Sequence, residues 1–295
     1  MRKRRLFRSA VLGVTGIALA AGVTTLASAA PSHQAAPVAL SHSADQAPKP
    51  TIVLVEGAWS NQAGWDGVAR PLQAAGYPVV APPTSLRSLS GDSADLAAYL
   101  STIQGPIVLV GQSYGGSVIT SAASNNPNVK ALVYISAFAP DDGESAAKLT
   151  ALFPGSHISN DPNAPVPTAL SPVPVSFLTP GKTPEVDLYA KAAQYRDLFF
   201  SNRVTVATAA ELAATQSPIA STALDETTSG EPAWKKIPSW YLVSDDDHLI
   251  PPAAERFMAT RAHSHIVEAN TPHAAQVTNP GIVISLIEQA VAATR

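Results

Sequence analysis

An α/β fold is what this sequence predicts: a mostly parallel central sheet, helices on both faces, and an inserted, mainly helical cap. Three observations predict it. From residue 51 to 135, short β-branched runs alternate with helical stretches at the spacing of βαβ units. The apolar run 107–110 opens directly into Gly111-Gln112-Ser113-Tyr114-Gly115 and then a helical segment to about Ala123, so a G-x-S-x-G turn stands between a strand and a helix. The alternation stops after Asp141, where proline becomes dense, and resumes at Ser239.

Taken in order, the first core strand is 51–55, followed by the loop Glu56-Gly57-Ala58-Trp59-Ser60-Asn61. An amphipathic helix is expected over 65–75, closed by Gly76. A strand over 78–81 and a helix over 93–103, capped by Asp92 or Ser93, come next. The G-x-S-x-G turn ends the following strand. A serine on so sharp a turn needs neighbours without a Cβ, which Gly111 and Gly115 supply. Ser113 then stands at the C-terminal edge of the sheet, before a helix N-terminus that favours developing negative charge. A further strand over 131–135 runs into Ser136-Ala137-Phe138-Ala139-Pro140.

The stretch 141–232 lies between two sheet strands and is read as a cap over the strand ends. Helical pieces are expected at 145–152, 186–200 and 207–215, with no buried strand. Its apolar residues, Phe153, Phe177, Leu178, Tyr189 and Phe199 among them, are candidates for a pocket or for the cap's own core. Strand 239–243 ends in Ser244-Asp245-Asp246-Asp247-His248. A helix over 253–262, a strand over 265–268, the loop Ala269-Asn270-Thr271-Pro272-His273 and a helix from Pro280 to about Thr294 complete a domain spanning 51–295.

Residues 1–29 read as a secretory signal peptide. Arg2, Lys3, Arg4, Arg5 and Arg8 precede an apolar stretch from Ala10 to Leu26, and Ala27-Ser28-Ala29 offers a small-residue cleavage site. Arg4-Arg5 followed by Leu6-Phe7 is compatible with the twin-arginine route. Residues 30–50, with Ala, Pro, Ser and His and no periodicity, read as a disordered linker. Removal of the five basic residues leaves 14 basic against 22 acidic ones, a net charge of −8. That balance speaks against nucleic acid or an anionic membrane as partner. The absence of cysteine excludes disulfides, a thiol nucleophile and a Cys-based metal site. The expected chemistry calls on no cofactor and no metal ion.

A serine hydroxyl is a weak nucleophile at neutral pH and needs a base oriented by a carboxylate. Of the seven histidines, His33 and His42 lie in the linker, His157 in the cap, and His263 and His265 at the wrong edge of the sheet. His248 directly follows the aspartates. His273, in the loop after the last strand, has the position and the chain order of a catalytic base. Asp245, Asp246 and Asp247 compete as the acid; three adjacent buried carboxylates would repel, so one at most points at the histidine. An oxyanion would be met by the N–H of Tyr114 and by that of Ala58 or Trp59. Trp59 is also a candidate substrate contact.

With these residues in view, the chain resembles the α/β-hydrolase superfamily. It is most similar to the group of salicylate methyl-esterases and hydroxynitrile lyases and their bacterial esterase relatives. The likeness rests on V-L-V-E-G-A-W (53–59), V-L-V-G-Q-S-Y-G-G (108–116), S-A-F-A-P-D (136–141) and P-S-W-Y-L-V-S-D-D-D-H-L-I-P-P (238–252). It implies Ser113 as nucleophile, Asp247 as acid through the D-x-x-I-P pattern, His273 as base, and the N–H groups of Ala58 and Tyr114 as oxyanion donors. Two positions depart from the pattern: Glu56 stands where the loop reads His-Gly, and Gln112 where histidine is frequent. A carboxylate there is expected to be buried, with a raised pKa or a cationic partner.

The resemblance implies a secreted serine esterase acting on small or aromatic esters through an acyl-enzyme. A C–C lyase and a cofactor-free haloperoxidase or perhydrolase would use the same triad, and an inert secreted binding protein would use none of it. The resembling lyases carry threonine at the loop glycine and lysine after the histidine, whereas this chain has Gly57 and Ala274.

Overall fold

Side chains that alternate between two buried layers set the architecture. The computed structural model describes residues 48–175 and 185–294. The expected signal peptide, most of the linker, and Phe177 and Leu178 lie outside the described residues. In chain order the elements are β1 (Thr51–Val55), α1 (Asp66–Ala74), β2 (Val79–Val80), α2 (Leu89–Ser101), β3 (Ile107–Ser113), α3 (Tyr114–Ala122) and β4 (Val129–Ala137). Then come α4 (Ala146–Ala151), β5 (Leu170–Val175), β6 (Glu185–Ala190), α5 (Ala192–Phe200), α6 (Val206–Ala214), β7 (Ile219–Ala220) and α7 (Ser221–Asp225). The chain closes with β8 (Ser239–Ser244), α8 (Pro252–Arg261), β9 (His265–Ala269), α9 (Ala275–Thr278) and α10 (Pro280–Ala292).

Six strands form one sheet in the order β2-β1-β3-β4-β8-β9, every pair parallel. Ile52, Leu54, Val108 and Val110 face one layer, with Val68 and Leu72 of α1 and Val283 and Leu286 of α10. Val53, Val55 and Leu109 face the other, with Leu96 of α2, Val118 of α3 and Met258 of α8. Each such side chain, fully buried, stabilises the fold by about 1.5–3 kcal/mol. Helices on both faces explain why these strands read as continuous apolar runs. Among the described residues no helix is long and apolar enough to cross a membrane.

The chain between β4 and β8 departs from the expectation of an insert without strands. It carries a three-stranded antiparallel sheet, β5-β6-β7, among its helices. The helix expected from residue 186 is strand to Ala190 and turns helical at Ala192. Leu188 and Ala190 are buried at a spacing of two, and that period is hidden by the helical pattern that follows. Pro172 and Pro174 sit on the outer strand β5, two residues apart, so their missing donors fall on the unpaired edge. A second correction concerns α2, which starts at Leu89 with Ser88 as its cap; the Ser88 hydroxyl accepts the Gly91 N–H at 3.1 Å. Asp92 is no cap because its carboxylate takes the hydroxyls of Ser85 and Tyr114, at 2.5 and 2.9 Å.

Candidate active site

Ser113 is the last residue of β3 and the residue before α3, and its backbone bends there to φ 53° and ψ −125°. A non-glycine residue held in such a conformation costs on the order of 1–3 kcal/mol. Its surroundings hold it. The Ser113 carbonyl accepts the Phe138 N–H at 3.1 Å, and the chain crosses itself closely on either side. A Cβ on Gly111 would stand 2.6 Å from the Gly115 carbonyl oxygen, and one on Gly115 would stand 2.6 Å from that of Val55. Any side chain at either position would push the turn apart.

The three aspartates after β8 meet three different fates. Asp247 alone is buried: its Oδ1 accepts the Leu249 and Ile250 N–H groups at 2.7 and 2.8 Å, and its Oδ2 meets His273 Nδ1 at 2.5 Å. Asp245 pairs with Arg256, and Asp246 with Arg203 at 2.5 Å, both at the half-exposed rim. The His273 ring is fully buried and lies edge-on to Phe199, with centroids 5.7 Å apart. The Gln112 side chain donates to the His273 carbonyl at 3.2 Å, tying the loop after β9 to the residue before Ser113. His273 Nε2 is buried and has no hydrogen-bond partner among the described residues, so it makes no hydrogen bond to Ser113.

A second carboxyl stands behind Asp247. Glu255 on α8 is fully buried; its Oε2 accepts the Ser244 N–H at 2.9 Å and its Oε1 meets no N–H or O–H donor. Burial, and then the Asp247 charge beside it, push the Glu255 carboxyl well above the usual carboxylate range. In the sequence it is indistinguishable from an acid in a first helical turn.

The loop after β1 is pinned at Trp59, whose φ is 59°. Trp59 donates its N–H to the Ser217 carbonyl at 3.0 Å and its indole N–H to that of Leu188 at 2.8 Å, and its own carbonyl accepts the Tyr195 hydroxyl at 2.7 Å. Its N–H is therefore spent, while no carbonyl among the described residues takes the N–H of Ala58 or of Tyr114. Glu56 is buried, as its place in the loop implies, and its carboxyl turns to Gln62 Nε2 and the Thr84 N–H, at 2.8 and 3.1 Å. Burial pushes its pKa up to about 7, with the Asp92 charge adding to the effect. Among the described residues it has no cationic partner, and it does not line the cavity.

That cavity holds about 440 Å³. Ser113 and Ala58 contribute to its lining, together with Trp59, Phe138, Phe153, Ile158, Leu170 and Leu249, and no charged side chain does among the described residues. Of the expected cap residues Phe153 reaches it directly. Phe199 instead backs His273 and stacks on Tyr195 at 4.4 Å.

A parallel six-stranded sheet with a serine on a strained strand-to-helix turn and a buried Asp–His pair at the same edge defines a class of proteins. The chain belongs to the alpha/beta hydrolase family, whose model matches residues 52–286. It is similar to the carbendazim hydrolyzing esterase of Nocardioides sp. (strain SG-4G), 36% identical over an alignment of 116 positions that covers 35% of this chain. The match spans about half of that relative, 47% of its length. It is also similar to the alpha/beta hydrolase nvfD of Aspergillus novofumigatus (strain IBT 16806), 27% identical over 82% of this chain and 96% of the relative. Among solved structures, polyneuridine aldehyde esterase shares the fold with a TM-score of 0.67 over 82% of this chain and 98% of its own, at 17% identity.

Proposed function

We propose that this chain is a secreted serine hydrolase that cleaves uncharged carboxylic esters of small or aromatic substrates through an acyl-enzyme. The observation that carries the reading is the apolar cavity with Ser113 in its wall and the buried Asp247–His273 pair at the same sheet edge. Ser113 Oγ attacks the ester carbonyl while His273 Nε2 takes its proton. The oxyanion that forms is met by the N–H groups of Ala58 and Tyr114. His273 returns the proton to the leaving alcohol, and water, activated by the same nitrogen, then attacks the acyl group on Ser113 and releases the acid. The contact between the Ser113 hydroxyl and Nε2 is of a kind that commonly tightens only with substrate in place.

Hydrolysis is favoured over the lyase chemistry by Gly57. A Cβ there would lie 2.6 Å from Ser113 Cβ and 2.7 Å from Gln112 Oε1, so the loop has no room for the threonine of the resembling lyases. An uncharged lining favours neutral substrates, and a relative named as an esterase is in keeping with an ester. Secretion rests on the basic, apolar and small-residue order of residues 1–29, with 30–50 as linker and 141–232 as cap. The test is a panel of nitrophenyl esters of increasing acyl length with aromatic methyl esters, run beside a fluorophosphonate label. Labelling of Ser113 with ester turnover is the expected result. An unlabelled, folded protein would make the chain a binder, and labelling with cyanohydrin cleavage in place of ester hydrolysis would make it a lyase.

A further inference from the structure

Outside the cavity, three side chains far apart in sequence converge on one point: His157, between α4 and β5; Asp197, on α5; and His248, directly after Asp247. One ligand atom from each lies within 4.8 Å of the others. His157 Nδ1 meets Asp197 Oδ2 at 2.6 Å and His248 Nδ1 meets Asp197 Oδ1 at 3.0 Å, so both imidazoles turn the same nitrogen to one carboxylate. The two rings lie 4.0 Å apart, and the His157 N–H donates to the His248 carbonyl at 2.7 Å, which locks the two histidines together.

The surroundings are those of a metal centre. Metal-binding imidazoles commonly present their second nitrogen to a carboxylate, which orients the ring and makes it a better ligand. Here His248 Nε2 stands 3.5 Å from Asp246 Oδ1, and Asp246 is itself held by Arg203. Asp197 Oδ1 accepts the Asn202 amide at 2.9 Å. Two imidazoles and one carboxylate suit a borderline first-row ion; calcium and magnesium demand oxygen ligands throughout. Around a tetrahedral ion with bonds of about 2.0–2.1 Å, ligand atoms sit about 3.3 Å apart. The two imidazole–carboxylate contacts reach that by opening less than an ångström, and the remaining pair of ligand atoms, within 4.8 Å, closes as the half-exposed His157 side chain turns.

We infer that His157, Asp197 and His248 bind a zinc-class divalent cation, with water completing a four-coordinate site. In the bound state each imidazole offers a bare Nδ1 to the ion and keeps its one ring proton on Nε2, which in His248 faces Asp246 Oδ1. The ion joins α5 to the loop that carries Asp247. Two residues beyond Asp197, Phe199 backs His273; one turn earlier than Phe199, Tyr195 holds the Trp59 carbonyl. The ion thus fastens the helix that supports the candidate site. This inference does not rest on the hydrolase reading.

The test uses the full chain, stripped with chelator and titrated with Zn²⁺ by calorimetry and with Co²⁺ by visible absorption. One Zn²⁺ per chain, a melting temperature that climbs with Zn²⁺ concentration, and the intense visible bands of four-coordinate Co²⁺ are expected. His157→Gln and Asp197→Asn, shown to be folded by circular dichroism, each weaken binding by at least about 100-fold, and Asp246→Asn by about 10- to 100-fold. The double variant His263→Gln/His265→Gln binds as the parent does. No binding at micromolar Zn²⁺ overturns the assignment. So does binding that survives both His157→Gln and Asp197→Asn, which would trace to His33 and His42 or to another surface.

Discussion

Asp247 and His273 meet at 2.5 Å with both side chains sealed from solvent, and the second oxygen of Asp247 is saturated by two backbone N–H groups. The carboxylate therefore has one orientation, and it dictates which nitrogen of the imidazole carries the proton. Asp247→Asn keeps the size but can turn a donor toward Nδ1, which favours the wrong tautomer. A fall in kcat of about three to four orders of magnitude is expected, with KM nearly unchanged. Steady-state hydrolysis of a nitrophenyl ester checks this, with Ser113→Ala, which should abolish fluorophosphonate labelling, as reference. A loss below tenfold in Asp247→Asn would remove the aspartate from the mechanism.

On the proposed reading Glu255 is a positioning residue for Asp247: it is buried behind that carboxylate, and burial with the Asp247 charge holds its carboxyl well above the usual range. Glutamine is uncharged, has the same shape and can accept the Ser244 N–H, so Glu255→Gln should hold kcat within about threefold. Glu255→Leu leaves the Ser244 N–H buried and unpaired, for a stability loss of about 1–3 kcal/mol, and frees Asp247 to shift. Its kcat should fall more than its KM rises. A purely structural role would lower the melting temperature and leave the pH–rate profile of the folded fraction untouched; here the acidic limb of that profile moves.

Glu56 makes stability depend on pH with a definite sign. Its folded pKa, about 7, lies above the ordinary 4.5, so the folded state binds the proton more tightly than the unfolded one. The protonated carboxyl carries no penalty below pH 4.5; as pH rises toward 7 and beyond, the buried group must ionise and the fold loses about 3 kcal/mol. Glu56→Gln removes that loss. Urea unfolding at pH 5 and pH 8 should show the parent weakening between the two and the variant holding nearly level. Equal slopes in both proteins would mean that the carboxyl ionises freely in the folded state.

Much of this was legible because the strands are buried on both faces and the turns carry their chemistry locally. Val108 and Val110 pack on one side and Leu109 on the other, so an unbroken apolar run already states a covered parallel sheet. Gly111, Ser113 and Gly115 state the turn within five residues. What stayed hidden depends on distant partners. Asp92 looks like a helix cap until Tyr114 and Ser85 claim it, and Gln112 looks like a stray polar residue until its amide reaches His273. β6 hid inside a helical pattern because its pairing partners lie across long connections. His157, Asp197 and His248 share no spacing a motif could capture; only the folded chain puts them on one point.

Gly57 supplies the sharpest test of the loop geometry. A methyl group at this position would sit 2.6 Å from Ser113 Cβ, 2.7 Å from Gln112 Oε1 and 3.0 Å from the Gln112 carbonyl oxygen. The first and third of these are fixed by the strained turn, so the loop itself must retreat and carry the Ala58 N–H with it. Overpacking of this kind costs about 1–3 kcal/mol, or a fall of roughly 2–10 °C in melting temperature for a domain of this size. The loss in turnover should be larger in proportion, about 100-fold or more, because one displaced oxyanion donor alone is worth two to three orders of magnitude. Gly57→Ala is therefore expected to melt slightly earlier, to change its KM far less than its kcat since only the Ala58–Trp59 edge of the cavity wall moves, and to lose most of its kcat. Thermal melting and steady-state kinetics on one preparation check all three. Gly57→Thr should be worse in each respect and gain no cyanohydrin cleavage, and a Gly57→Ala enzyme that turns over at the parent rate would show that this loop does not press against Ser113.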